Sequence, residues 1–133
     1  MADGVPAPFV QELTPLVIVE DIARSVDFYR EKLGFQMTMK WEPGGSLEWC
    51  RLERDAAALM LQQACAEDGS PEGRGRGVIF YFTCNDADAE HARLAGCGWK
   101  LDPPQVAFYG MKQLYVTDPD GYELCFQNFV QNN

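Results

Sequence analysis

The segment from Met111 to Asn128, MKQLYVTDPDGYELCFQN, sets two apolar-patterned runs on either side of Asp118-Pro119-Asp120-Gly121. Proline presets φ near −65° and glycine tolerates φ > 0, so the chain must reverse there and the segment reads as a hairpin. Beyond the turn, Leu124 and Phe126 alternate with Glu123, Cys125 and Gln127. This period of two belongs to a strand with two unlike faces, one turned to a core and the other to something more polar.

A chain of 133 residues, 47% of them apolar, can bury one real core, and no Ser/Gly linker or charge block divides it. A net charge of −9 repels phosphate backbones and anionic membrane surfaces, so neither nucleic acid nor membrane is expected as a partner. A cationic or neutral small molecule suits this charge better. The cysteines, Cys50, Cys65, Cys84, Cys97 and Cys125, are odd in number and form no C-x-x-C pair, so they indicate neither a disulfide framework nor a thiolate zinc site. There is no basic-then-apolar leader pattern, and no apolar run approaches the ~18 residues of a membrane span. The expectation is a reduced, cytoplasmic compartment.

Residues 1–12 read as a loosely ordered, Pro-containing arm. Leu13 to Val19 reads as a strand apolar on both faces, and Asp21 as the N-cap of a helix stopped by Gly34. Strands are predicted at Phe35 to Trp41, Ser46 to Leu52 and Ala57 to Gln62. Glu67 to Gly77, with four glycines and a proline, marks an exposed connection at the midpoint. The pattern then begins again. Val78 to Cys84 is a strand, and Asp86 to Ala95 a helix with Ala89, Ala92 and Leu94 inward. Trp99 to Leu101 and Val106 to Tyr109 are further strands before the hairpin. The predicted architecture is α+β: two β-α-β-β-β modules, residues 13–66 and 78–129, joined by linker 67–77. Each module buries the helix side of its sheet, and the opposite sheet sides wrap a half-barrel cleft.

The run from Ile18 to Phe35, IVEDIARSVDFYREKLGF, resembles the first-module signature of the vicinal oxygen chelate superfamily, and Asp118 to Leu124, DPDGYEL, resembles its final hairpin. That superfamily includes glyoxalase I, extradiol dioxygenases, fosfomycin-resistance thiol transferases and bleomycin-resistance proteins. The resemblance extends from Leu13 to Asn128. It implies the fold and leaves the chemistry to individual positions.

In the metal-dependent members, four cavity-facing positions carry His, Glu or Gln around a divalent cation. Carried over to this chain, they fall on Thr14, Met60, Ile79 (or Val78, one residue away) and Cys125. Hard and borderline cations want carboxylate oxygen and imidazole nitrogen, so this set implies no metal and no cofactor. The neighbouring Gln62, Glu123 and Gln127 are alternative oxygen donors. The only histidine, His91, falls on the second helix, outside the cavity, and gives no support to nucleophilic catalysis.

Strand alternation, with the resemblance, assigns Thr14, Leu16, Ile18, Trp49, Met60, Gln62, Tyr81, Thr83, Gln113, Tyr115, Glu123, Cys125 and Gln127 to the cavity, with Tyr109 at its rim. An apolar, aromatic lining with a few polar groups suits a small-molecule site. Cys125 reads as a small apolar wall residue of that cavity rather than a reactive thiolate, because Glu123 nearby opposes a lowered pKa. Two functions follow as expectations. One is a metal-free protein, similar to the bleomycin-resistance branch, that sequesters a cationic or aromatic ligand. The other is a divalent-metal-dependent lyase, isomerase or dioxygenase of the glyoxalase type. The resemblance also implies a homodimer.

Overall fold

Asp21 has extended backbone and its carboxylate accepts the Arg24 N–H at 3.2 Å, as an N-cap should, in the computed structural model, which describes residues 6–130. The helix α1 (Ile22–Asp27) then widens into a π-helical turn at Phe28–Lys32, and Gly34, at φ +74°, ends it. Around it lie β1 (Leu16–Val19), β2 (Gln36–Trp41), β3 (Trp49–Arg54) and β4 (Ala57–Gln63). The second module supplies β5 (Ile79–Thr83), α2 (Ala87–Gly96), β6 (Gln105–Val106), β7 (Met111–Thr117) and β8 (Glu123–Phe129).

The two sheets have corresponding orders, β1-β4-β3-β2 and β5-β8-β7-β6. In each, the first strand pairs in parallel with the last, and the other neighbours are antiparallel. The predicted repeat and hairpin are both present. The hairpin is closed by the Asp118 N–H to the Tyr122 carbonyl at 2.9 Å and the Gly121 N–H to the Asp118 carbonyl at 3.1 Å.

Several boundaries differ from the sequence expectation for identifiable reasons. The first strand pairs from Pro15 onward, where the Pro15 carbonyl accepts the Met60 N–H, and Leu13 stands exposed before it. Only one of its faces is buried, through Val17 and Val19, while Leu16 remains 44% exposed. Trp99 to Leu101 forms no strand: the Trp99 N–H bonds to the Leu94 carbonyl, its ring packs edge-on against Phe28, and the Leu101 carbonyl meets the His91 ring. Pro103 and Pro104 offer no donor to extend pairing there. The edge strand is Gln105–Val106, shorter than the predicted 106–109.

The second helix corrects a residue assignment. Its buried positions are Ala87, Glu90 and Leu94, whereas Ala89 and Ala92 are exposed. Glu90 is tolerated inside because Arg54 and Arg93 together place four N–H bonds on its carboxylate, at 2.8 to 3.1 Å.

The core runs through both modules along the helix-facing sides of the sheets. Val17, Val19, Cys50, Leu52, Leu59 and Leu61 line one side, and Leu114, Val116, Leu124 and Phe126 the other. Phe35 meets Phe82 edge-on at 6.0 Å across the boundary between modules. Polar bonds cross there too: Tyr29 Oη donates to Asp118 at 2.7 Å, Tyr122 Oη donates to the Ile18 carbonyl at 2.8 Å, and Arg54 reaches Glu90. The linker is fastened in the same region. Arg74 pairs with Glu20, and a Cβ on Gly75 would stand 3.0 Å from the Gly121 carbonyl oxygen and from Tyr122.

Candidate ligand-binding faces

With one side of each sheet buried, period two sends the intervening residues to the opposite side. On the first sheet the pairing aligns Trp41 with Trp49 and Gln62, and Met39 with Arg51, Met60 and Leu16. Trp41 and Met39 are about 60% exposed, so this face is open. Neither residue belongs to the predicted set. A register shift between Met37 and Met39 displaces their alternation, which hides them from a simple count along β2.

Arg51 is the central polar group of this face and is also new. Its Nε reaches Glu53 at 2.8 Å, its Nη2 reaches Glu12 at 2.7 Å, and its Nη1 lies 3.4 Å from Thr14 Oγ1. These bonds hold the guanidinium protonated and lower the carboxyl pKa values of Glu12 and Glu53. Strand alternation around the buried Cys50 and Leu52 would have revealed Arg51.

On the second sheet, Tyr81, Cys125 and Tyr115 align across three strands, as do Thr83, Gln127 and Gln113, and Ile79, Glu123 and Thr117. Here the predicted residues form one connected network. Tyr81 and Tyr115 hydroxyls lie 3.2 Å apart, and Tyr115 donates to Gln113 Oε1 at 3.3 Å. Gln113 Nε2 in turn reaches Tyr109 Oη at 2.6 Å and Gln127 Oε1 at 3.1 Å. Gln113 is buried, while Tyr81, Tyr109 and Tyr115 are about half exposed, so three phenol rings stand over a fixed polar floor. The hydrogen bond shared with Tyr81, followed by burial, raises the pKa of the Tyr115 hydroxyl. Burial also pushes the Cys125 thiol up to about 11. At neutral pH it is a thiol, the poor nucleophile of a wall residue.

The structure thus brings together Tyr81, Tyr109, Gln113, Tyr115, Cys125 and Gln127 on one face, and Thr14, Trp49, Met60 and Gln62 on another. Among the described residues, no hydrogen bond, ion pair or ring contact joins side chains of one open face to those of the other. His91 lies half-buried on α2 with Nε2 2.9 Å from the Leu101 carbonyl, a packing role away from both faces.

The four positions equated with metal ligands do not suit a divalent cation. Thr14 donates to Glu12 at 2.7 Å, Met60 offers a thioether, Ile79 offers nothing, and Cys125 holds its proton. The alternative donors are also spread apart. Gln62 belongs to the first sheet, while Glu123 and Gln127 are four residues apart on β8, roughly 13 Å along a strand. Among the described residues, no three His, Cys, Asp or Glu side chains are grouped to hold a metal. No helix among them is long and apolar enough to cross a membrane.

This pair of β-α-β-β-β modules is the architecture of a known superfamily. The chain belongs to the Glyoxalase/Bleomycin resistance protein/Dioxygenase superfamily, whose description matches residues 11–126. No curated protein matches it in sequence. Solved structures share the fold at low identity. The bleomycin resistance determinant encoded on transposon Tn5 is 18% identical with a TM-score of 0.72, over 92% of this chain and 100% of its own. TnmS3, an antibiotic binding protein from Streptomyces sp. CB03234, is 21% identical with a TM-score of 0.69, over 93% and 100%. A glyoxalase-related enzyme from Clostridium phytofermentans is 17% identical with a TM-score of 0.72, over 92% and 98%.

Proposed function

We propose that the protein binds and sequesters a cationic or aromatic small molecule without a metal, using the open sheet faces. The observation that carries this reading is the network of Tyr81, Tyr115, Gln113, Tyr109 and Gln127, which fixes three half-exposed phenol rings around a satisfied polar floor. Such rings offer stacking surface at little ordering cost and attract cations through their faces. The net charge of −9 draws a cation toward them. The ill-fitting donors at the metal positions favour binding over metal-assisted chemistry. Bleomycin resistance and antibiotic binding in similarly folded proteins are consistent with this role.

The ligand is enclosed when two copies pair as a homodimer. Each chain leaves Leu16, Met39 and Trp41 open on one face and Ile79, Tyr81, Tyr115 and Phe129 on the other, apolar surface that a second copy can cover. A second copy supplies the opposite wall, in the manner of an isologous pair. Light scattering at micromolar concentration is expected to give twice the chain mass, and a monodisperse monomer would overturn this part of the reading.

The binding claim is tested by calorimetric titration with a panel of cationic aromatic compounds, ethidium among them, against the protein and its Tyr115→Ala and Trp49→Ala variants. Each variant should bind at least about tenfold more weakly, the scale of a lost stacking partner, with a melting midpoint within a few degrees of the parent. Unchanged affinity together with a large loss of stability would assign both residues to packing.

A further inference from the structure

Beside the tyrosine face, the linker and the hairpin enclose a depression of about 560 Å³, lined by Gly73 to Ile79 with Gly121 and Glu123. Its walls are fixed. Arg74 is tied to Glu20, Gly75 is wedged against Gly121 and Tyr122, and three N–H to carbonyl bonds, at Arg74, Arg76 and Val78, lock successive turns of the loop. Gly75 must lack a side chain on two counts, a φ of +80° and 3.0 Å of clearance to the hairpin backbone.

Two opposite charges face this depression. The Arg76 guanidinium lies against the loop, with Nε 3.9 Å from where a Gly73 Cβ would stand, and Glu123 lies at the start of β8. Among the described residues neither side chain has an ion-pair or hydrogen-bond partner, and the two do not pair with each other although they line the same depression. Arg74, the other cation of the loop, is already neutralised by Glu20 and lies 3.9 Å from Asp120. Val78 and Ile79 add exposed apolar surface to the same lining, with Ile79 paired directly beside Glu123. A solute with one positive and one negative group, spaced to reach both, would satisfy two charges that the protein leaves unpaired.

From this arrangement we infer a second subsite that takes a zwitterionic, amino-acid-like group, with Arg76 receiving the carboxylate and Glu123 the ammonium. Ile79 and Glu123 precede Tyr81 and Cys125 by two residues on the same sheet face, so a ring carried by that group would reach the tyrosines. The placement of the ring rests on the binding role proposed above, but the recognition of the two charges does not.

The test is amide-resolved NMR titration of the intact protein with L-phenylalanine, phenylalanine amide and N-acetylphenylalanine. L-Phenylalanine should shift the amides of residues 73–79 and 121–123 and saturate within roughly 20 mM, the range of a ligand with so few contacts. Blocking either charge should weaken binding at least about fivefold, as loss of one charge-assisted pair does. Arg76→Gln should abolish the preference for the acid over the amide, and Glu123→Gln the preference for the free over the acetylated amine. Both side chains are exposed, so the variants are expected to fold. No shift in these amides, or equal binding of all three probes, would overturn the subsite. Ethidium binding that survives in Arg76→Gln would leave the tyrosine-face role standing, which separates failure of one proposal from failure of the other.

Discussion

Replacing Glu90 by Gln should cost more stability than any other single charge change, because Glu90 is the ionic joint between the modules. Its side chain is 6% exposed and bridges Arg54 of β3, which also holds the Leu33 carbonyl at 3.0 Å, to Arg93, which holds the Lys32 carbonyl. Burial alone would raise its pKa, but the bonds from Arg54 and Arg93 outweigh burial and hold it at about 2 against the ordinary 4.5. That difference corresponds to about 3 kcal/mol favouring the folded, ionised form. The folded pKa is depressed, so the contribution is complete above pH 4.5 and is lost as pH falls toward 2. Asp118 works in the opposite sense, since burial raises its folded pKa despite the bond from Tyr29. The Glu90 effect is therefore isolated by the difference between parent and variant. Urea denaturation of both at pH 7 and pH 3 should show Glu90→Gln less stable by about 3 kcal/mol at pH 7, roughly 10 °C in midpoint, with the gap narrowing sharply at pH 3. A gap below about 0.5 kcal/mol at pH 7, or one that does not change with pH, would refute the account of this joint.

Removal of the Tyr29 hydroxyl by Tyr29→Phe takes away a buried 2.7 Å bond to Asp118 and should cost about 1–3 kcal/mol, read by the same denaturation. Gly75→Ala and Gly77→Ala share a positive φ near +80°, but only Gly75 meets backbone at 3.0 Å, while Gly77 has open space. The first should therefore lose about 2 kcal/mol or more and the second about 1 kcal/mol, and equal losses would mean that the linker is not wedged against the hairpin. Arg51→Ala leaves Glu12 and Glu53 without their shared partner, so the carboxyls of both should titrate closer to ordinary values in NMR pH curves, upward from their present lowered positions.

The parts of the fold legible in the sequence were those whose causes are local. Asp21, Gly34 and Asp118-Pro119-Asp120-Gly121 act through their own backbone neighbours, so cap, stop and hairpin could be read directly. Glu90 could not. Its burial depends on an arginine 36 residues away, and a search for apolar periodicity passes over a charged residue and selects Ala89 and Ala92 instead. Trp99 to Leu101 has strand-like composition, but the end of α2 and the His91 ring claim its backbone. On the second sheet, simple alternation set Tyr81, Gln113, Tyr115, Cys125 and Gln127 on one face, whereas Tyr109, expected at the rim, reaches Gln113 from a turn. Alternation missed Trp41 and Met39 because of the irregularity in β2, and the Gly-Arg linker, read only as an exposed connection, owes its fixing to Glu20 and Tyr122, both distant in sequence.

The central claim is that these faces bind a ligand without a metal, and tryptophan-fluorescence titration after exhaustive chelation tests it most directly. Trp41 and Trp49 lie on an open face and serve as internal reporters. The account predicts saturable quenching by at least one cationic aromatic compound in chelated protein, with the curve unchanged when Ni²⁺, Zn²⁺, Mn²⁺ or Fe²⁺ is restored. Quenching that appears only after a divalent ion is restored, at about one ion per chain by elemental analysis, would contradict it and return the protein to metal-dependent chemistry.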